Sequence, residues 1–422
     1  MSASAWRART FSSLDNPNYR KFFIAQAISL TGTWMQSVAM AWLVLELTDS
    51  ATWLGLTIAL QFVPVLLLGP YGGVLIDRLD KRQLIIATNC AAALQALALG
   101  LLYQSHHATL TVVLFLTLLL GLTNVLDNPA RQSFVREMVK DDQVRNAVSL
   151  NSVLVNVARA VGPALAGVLI AKVGVGACFF VNAASFLAVI FANSAMNTAL
   201  LNPSEPVDRA PGQLREGLRY VRATPELLIP LLMMGVVGTL TYEFQVTLPS
   251  LAAQTFGTGA INFGLVTSAM GIGAIAGGLV SAGRSHFGIK PLTRAVFAFG
   301  VADLLVAVAP SIELASLALV TVGAASIWFL ATGNATLQMS AVPEMRGRVM
   351  ALWAVAFLGT TPIGGPIIGF IAQSWGARWA LAVGAVSAIV AGLLGLSAQR
   401  RHARVSESAP IDHDPSHRTV IE

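Results

Sequence analysis

The sequence predicts an all-α integral membrane protein, with twelve transmembrane helices in two pseudo-symmetric six-helix bundles. Three observations lead there. Of 422 residues, 55% are hydrophobic and only 11% charged, with a mean hydropathy of +0.68. A soluble domain carries about 25% charge, so a large soluble enzyme is excluded. Twelve apolar runs follow one another, each close to the ~20 residues that a helix needs to cross hydrocarbon. Finally, lysine and arginine fall in alternate links: the N-terminal tail, the even-numbered links (with Arg294 at the edge of span 9) and the C-terminal tail hold 24 of the 27. Such one-sided placement is the positive-inside pattern, and it puts both termini in the cytoplasm.

The spans read as 22–45, 53–76, 84–103, 110–128, 149–171, 177–196, 227–250, 261–283, 292–310, 312–334, 349–372 and 377–397. Pro64, Pro70, Pro163 and Pro366 fall within runs, which neighbouring helices and water tolerate in a bilayer. The first run reads as a retained helix, because the basic stretch before it lacks a small-residue cleavage site. The link at 197–226 holds Pro203, Pro206 and Pro211 and then a basic amphipathic piece. It divides the chain into an N-terminal half (1–196), a cytoplasmic linker (197–226), a C-terminal half (227–398) and a cytoplasmic tail (399–422). The halves repeat one another: Gly162-Pro163 in span 5 matches Gly365-Pro366 in span 11, about half a chain apart. An even span number per half makes this a parallel repeat about an axis along the membrane normal.

No cofactor or metal is expected. Cys90 and Cys178 lie far apart in apolar runs, the six histidines lie in links or the tail, and no Gly-Lys dipeptide exists to build a phosphate loop. The modest net charge of +6 suits orientation in a membrane better than binding nucleic acid.

The stretch 72–82 carries five charges between two apolar runs: Asp77, Arg78, Asp80, Lys81 and Arg82. It reads as a tight loop on one membrane face. Here the chain resembles the major facilitator superfamily. Gly73, Leu75, Asp77, Arg78, Lys81 and Arg82 resemble that family's loop 2–3 motif, with Asp80 standing where glycine is usual. Arg159, Gly162, Pro163 and Gly167 belong to a stretch resembling its span-5 antiporter motif, although Ala158 replaces an upstream glycine. The family's span-4 arginine motif is not recognisable. The run from Asn128 to Ala171, with NPNYRKFF near the N-terminus, is similar to the branch of enterobactin exporters and macrolide efflux pumps. The resemblance implies a proton-coupled, monomeric exporter of small amphipathic molecules, of drug or siderophore type, in the bacterial inner membrane. It works by alternating access, with protons, a small-molecule substrate and the bilayer as partners. An importer or uniporter of the same fold and a non-transporting scaffold or sensor are the rival readings.

The resemblance also suggests roles. Asp77 would sit by the N-terminus of span 11 when the cytoplasmic side is closed, with Arg78 and Asp127 as a second pair; Gly73 and Arg82 complete this latch. The plainer reading is a topological basic cluster. Charges inside spans are costly and so mark function: Glu243 and Asp303 are the proton-coupling candidates, ranked in that order. The plainer readings are a span exit for Glu243 and a structural hub for Asp303. Because spans 1, 4, 7 and 10 line the cavity in the resembled fold, the substrate candidates are Gln26, Trp34, Gln36, Asn124, Tyr242, Gln245, Trp328, Asn334 and Gln338.

Overall fold

The structure, a computed structural model, describes residues 11–202, 213–282 and 287–408. Among these no strand occurs, and fifteen α-helices follow in order. The first half holds α1 (Pro17–Thr48), α2 (Ala51–Arg78), α3 (Lys81–Gln104), α4 (Leu110–Met138), α5 (Asp141–Val173) and α6 (Val175–Ser194). After the amphipathic α7 (Gln213–Ala223) come α8 (Pro225–Leu240), α9 (Phe244–Ser250), α10 (Ala260–Ala282) and α11 (Ile289–Ala307). The chain continues with α12 (Ile312–Ser340), α13 (Pro343–Leu358), α14 (Thr361–Trp375) and α15 (Ala377–Ser408).

Eleven of these segments, with α8–α9 and α13–α14 each counted as one, are long and apolar enough to cross a membrane. The remaining expected span, span 9, is α11. Its 19 residues carry Lys290, Arg294 and Asp303, which keeps it below that standard of apolarity. It packs against α12 and α15 like a member of the bundle.

Several helices outrun their apolar runs. α4 continues through Arg131 and Arg136 to Met138, and α5 starts at Asp141. The expected tail is helical as far as Ser408. An apolar run marks the part of a helix in hydrocarbon, whereas the helix itself ends at a cap. The loop expected over 72–82 shrinks for the same reason. α2 runs to Arg78 and α3 begins at Lys81, because the Asp80 side chain accepts the Gln83 amide at 3.0 Å and caps α3. This accounts for the aspartate where the resembled motif has glycine.

Within the first half, α1 packs on α5 and α6, α3 on α4 and α6, and α2 on α4. In the second, α10 and α11 pack on α12, α11 on α15, and α8 on α13 and α15. The amphipathic α7 lies against α13, tied by an Arg348–Glu216 ion pair at 2.8 Å and by the Val342 amide, which donates to the Tyr220 hydroxyl at 3.2 Å.

Two seams join the halves, α2 against α14 and α5 against α10. Both are glycine contacts. A Cβ on Gly55 would run into the Gly365 carbonyl, and one on Gly369 would lie 2.5 Å from the Ala51 carbonyl. In the other seam, a Cβ on Gly264 would lie 2.5 Å from the Pro163 carbonyl, and one on Gly167 would lie 2.8 Å from the Ala260 carbonyl. Small residues four apart permit such backbone approach. The contacts correct the register of the repeat by one residue. Pro163 corresponds to Gly365, Gly167 to Gly369, and Gly162, which abuts span 1, to Gly364, which abuts span 7. Equivalent packing defines the repeat, and the shared Gly-Pro dipeptide is offset from it.

Among the described residues, every hydrogen bond between the halves lies at the end away from the termini. The Ala51 amide donates to Gln373 Oε1 at 2.7 Å, the Thr52 hydroxyl to the Gly369 carbonyl at 3.5 Å, and Gln254 to the Asp49 carbonyl at 3.2 Å. Toward the terminal face, α2 and α13 approach at Leu66 and Gly359, and Gly347 near the start of α13 faces open space.

Candidate functional site

A cavity of about 300 Å³ lies between the halves, lined from α1, α2 and α5 on one side and from α9, α10 and the breaks of spans 7 and 11 on the other. Both breaks interrupt apolar runs. α8 ends at Leu240 and α9 starts at Phe244; α13 ends at Leu358 and α14 starts at Thr361, with Pro362 in its first turn. Breaks within membrane helices leave backbone groups and helix ends available at a cavity.

Glu243 stands in the first break, 2% exposed. Thr361, at the start of α14, stands beside it in the same lining. Its Oε1, which has no hydrogen-bond partner, lies 2.8 Å from where a Cβ on Gly364 would be. The carboxylate therefore faces the positive end of a short helix, and glycine at 364 makes room for it. Tyr242 donates to the Ser326 carbonyl at 2.8 Å, and its ring packs against Phe244, Phe299 and Phe357.

Arg159 lines the same cavity from α5. Its guanidinium lies 5.1 Å from the centroid of the Trp34 ring, and its buried Nε makes no hydrogen bond. Gly162, one turn on, lets α1 approach: a Cβ there would lie 2.6 Å from Trp34 Cβ. Gln245 also lines the cavity, as do the apolar Phe62, Phe263 and Phe357.

Of the expected substrate residues, Trp34, Tyr242 and Gln245 line this cavity and the other six do not. Gln36 and Asn124 line a smaller cavity of about 100 Å³ inside the first half. There Gln36 donates to Gln95 at 3.0 Å and accepts from Asn182 at 2.7 Å. Gln26 is 3% exposed and accepts from Arg131. Trp328 lines a third cavity with Lys290 and Arg294, and Gln338 donates to Asn334 one turn away. These departures share a cause. A helix turns each polar residue by 100°, so membership of a lining span does not decide which face a residue occupies. Asp303 is 1% exposed and both carboxylate oxygens lack hydrogen-bond partners. It lies against Gly384 of α15 and behind the span-7 break, outside the cavity lining.

The expected latch residues find partners inside the first half. Arg82 donates to the Asn193 carbonyl at 2.7 Å and the Ser194 carbonyl at 3.2 Å, closing the C-terminus of α6. Asp127 takes Arg131, Thr88 and Asn89 as partners instead of Arg78, which is exposed. The side-chain surroundings of Gly73 and Asp77 lie outside the described residues. Arg131 joins spans 1, 3 and 4 through Gln26, Asn89 and Asp127, and sequence reasoning missed it. Asp127 and Arg131 stand four apart, a spacing that pairs charges on a helix; the apolar run ending near 128 hid it.

A family profile described as transmembrane secretion effector matches residues 8–421. The chain is 24% identical over 361 residues to the staphyloferrin A transporter of Staphylococcus aureus, covering 84% of this chain and 89% of that one. It is 24% identical over 404 residues to enterobactin exporter EntS of Citrobacter koseri, covering 93% and 94%. Among solved structures, a bacterial homolog of the human lysosomal transporter Spinster, inward-facing and unoccupied, superposes with a TM-score of 0.72 at 14% identity, over 92% of this chain and 98% of that one. A peptide transporter superposes with the same TM-score, 0.72, and the same identity, 14%, over 92% and 95%.

Proposed function

Because the chain belongs to the transmembrane secretion effectors, a family of multi-pass membrane transporters of the major facilitator type and not of enzymes, we propose that it exports a small amphipathic molecule in exchange for protons. The carrying observation is the Glu243 carboxylate, buried at the rim of the central cavity between two helix breaks and against the N-terminal turn of α14. Ionised, it is held by the positive end of α14; protonated, it loses that attraction. A proton arriving at Glu243 thus changes how tightly spans 7 and 11 hold one another beside the substrate.

The two seams supply the movement. In this reading, with both closed at the far end, the substrate enters from the face that carries the termini. Opening them, while α2 and α13 close at the other end, exposes the cavity to the opposite side. In this reading the termini are cytoplasmic, the protein works as a monomer in the bacterial inner membrane, and the seams close the periplasmic side. The proposed Asp77 latch would then stabilise the alternative, outward-open state. Two relatives are named for siderophores, one of them as an exporter, and this supports export of a molecule of siderophore or drug type.

The test is efflux from proteoliposomes under a pH gradient. Glu243→Gln keeps the shape and removes the titrating group, so gradient-driven efflux is lost while exchange of substrate without a gradient persists. Wild-type gradient-driven rates in this variant would exclude Glu243 as the carrier.

A further inference from the structure

We propose that Arg159 and Trp34 form an anion subsite in the central cavity, and that the transported molecule is an organic acid with an apolar, ring-containing body. The inference rests on reading this cavity as the transport site. It adds a chemical class to it.

Arg159 carries an uncompensated charge. Arg159 lies deep in α5, a helix whose apolar run would span the hydrocarbon. A guanidinium there costs several kcal/mol unless paired. Among the described residues no carboxylate is paired with it. The ion pairs found join Lys81 to Glu137, Arg131 to Asp127 and Arg348 to Glu216. Tyr242, which shares the cavity lining with Arg159, has its hydroxyl committed to the Ser326 carbonyl. Glu243, on the opposite wall, lies against Gly364 and Gly365 of α14 and is not paired with Arg159, and Asp303 lies behind span 7.

The guanidinium is nevertheless held in place. Trp34 supports one face of it, a contact that offsets part of the desolvation. Gly162 positions Trp34 by letting α1 and α5 approach. The Nε, buried and without a partner, belongs to the fork of donors that matches a carboxylate with two parallel hydrogen bonds. An unpaired guanidinium on a cavity wall, with its Nε buried and its face on Trp34, suits an oxyanion. The rest of the lining sets the remainder of the ligand: Phe62, Phe263, Met270 and Phe357 offer apolar and aromatic surface. A ligand that satisfies both parts carries an acid group on a ring system.

Equilibrium binding to the purified full chain in lipid nanodiscs tests this without any gradient. The probes are 2-naphthoate, 4-phenylbenzoate and 1-pyrenebutyrate, each beside its uncharged methyl ester. One charge-assisted bidentate contact predicts at least one acid binding about tenfold or more tighter than its ester. Arg159→Gln should abolish the difference, and Arg159→Lys, which keeps the charge without the fork, should retain only part of it. Equal binding of acid and ester to the wild type, failure of every acid to bind it, or an undiminished preference in a folded Arg159→Gln protein overturns the subsite. The outcome is separable from the transport reading. Arg159-dependent binding without gradient-driven efflux would leave the subsite standing and remove the coupled exporter. Efflux with no preference for acids would do the reverse.

Discussion

The Gly365 carbonyl occupies the space that a side chain on Gly55 would need, so α2 and α14 touch backbone to backbone. The equivalent contact, Gly264 against Pro163, repeats this across the other seam. Neither contact can absorb a larger residue by turning a flexible side chain, because the obstructing atoms are main chain.

Gly55→Val should therefore wedge the far end apart and shift the protein toward the state open on that side. In a background lacking Cys90 and Cys178, a cysteine at Thr52, beside Gly369, reports it. Labelling from the far face should rise several-fold. Unchanged labelling in a folded protein would show that this seam is not the gate.

Asp80 serves stability more than movement. Removing the cap by Asp80→Ala should cost about 1 kcal/mol, and Asp80→Gly only a few tenths. Thermal unfolding in detergent measures both, and transport rates should stay close to wild type. A large transport defect with normal stability would instead give this residue a part in movement.

Lys81 and Glu137 form an ion pair at 2.7 Å with side chains 8% and 7% exposed, joining α3 to the end of α4. Lys81→Met takes away the cation beside a buried carboxylate and should destabilise by about 3–5 kcal/mol. The double change Lys81→Met with Glu137→Leu should recover most of that loss. Additive losses in chemical unfolding would mean that the pair is not the source of the effect.

Asp303 provides the contrast for the coupling assignment. Buried without partners and outside the cavity, it should tolerate Asp303→Asn with pH-driven efflux intact. Efflux that fails in Asp303→Asn and survives in Glu243→Gln would exchange the roles of the two carboxylates.

The membrane class, the order of the spans and the grouping into halves were legible because they depend on runs of apolar residues, which a sequence states directly. The breaks in spans 7 and 11 were not, since Leu240 to Phe244 and Leu358 to Thr361 sit inside such runs. One signal was present: Gly359-Thr360-Thr361-Pro362 is a helix-start pattern with proline in the first turn. Asp80 and Gln83 likewise form a capping-box spacing that explains the departure from glycine. Glu243, Arg159 and Trp34 were visible as unusual residues in spans. That they share one cavity, while Gln26 and Gln36 are sealed inside the first half, depends on helix rotation and packing, which residue type does not carry.

The attachment of α7 has a consequence for how the chain is connected. Glu216 and Tyr220 fasten this amphipathic helix to α13, so it travels with the second half as part of that body. The covalent link then contributes little to alignment, which falls to the glycine seams. Two separately expressed pieces, one ending at Asn202 and one beginning at Gln213, should find each other in the membrane and reconstitute a working unit.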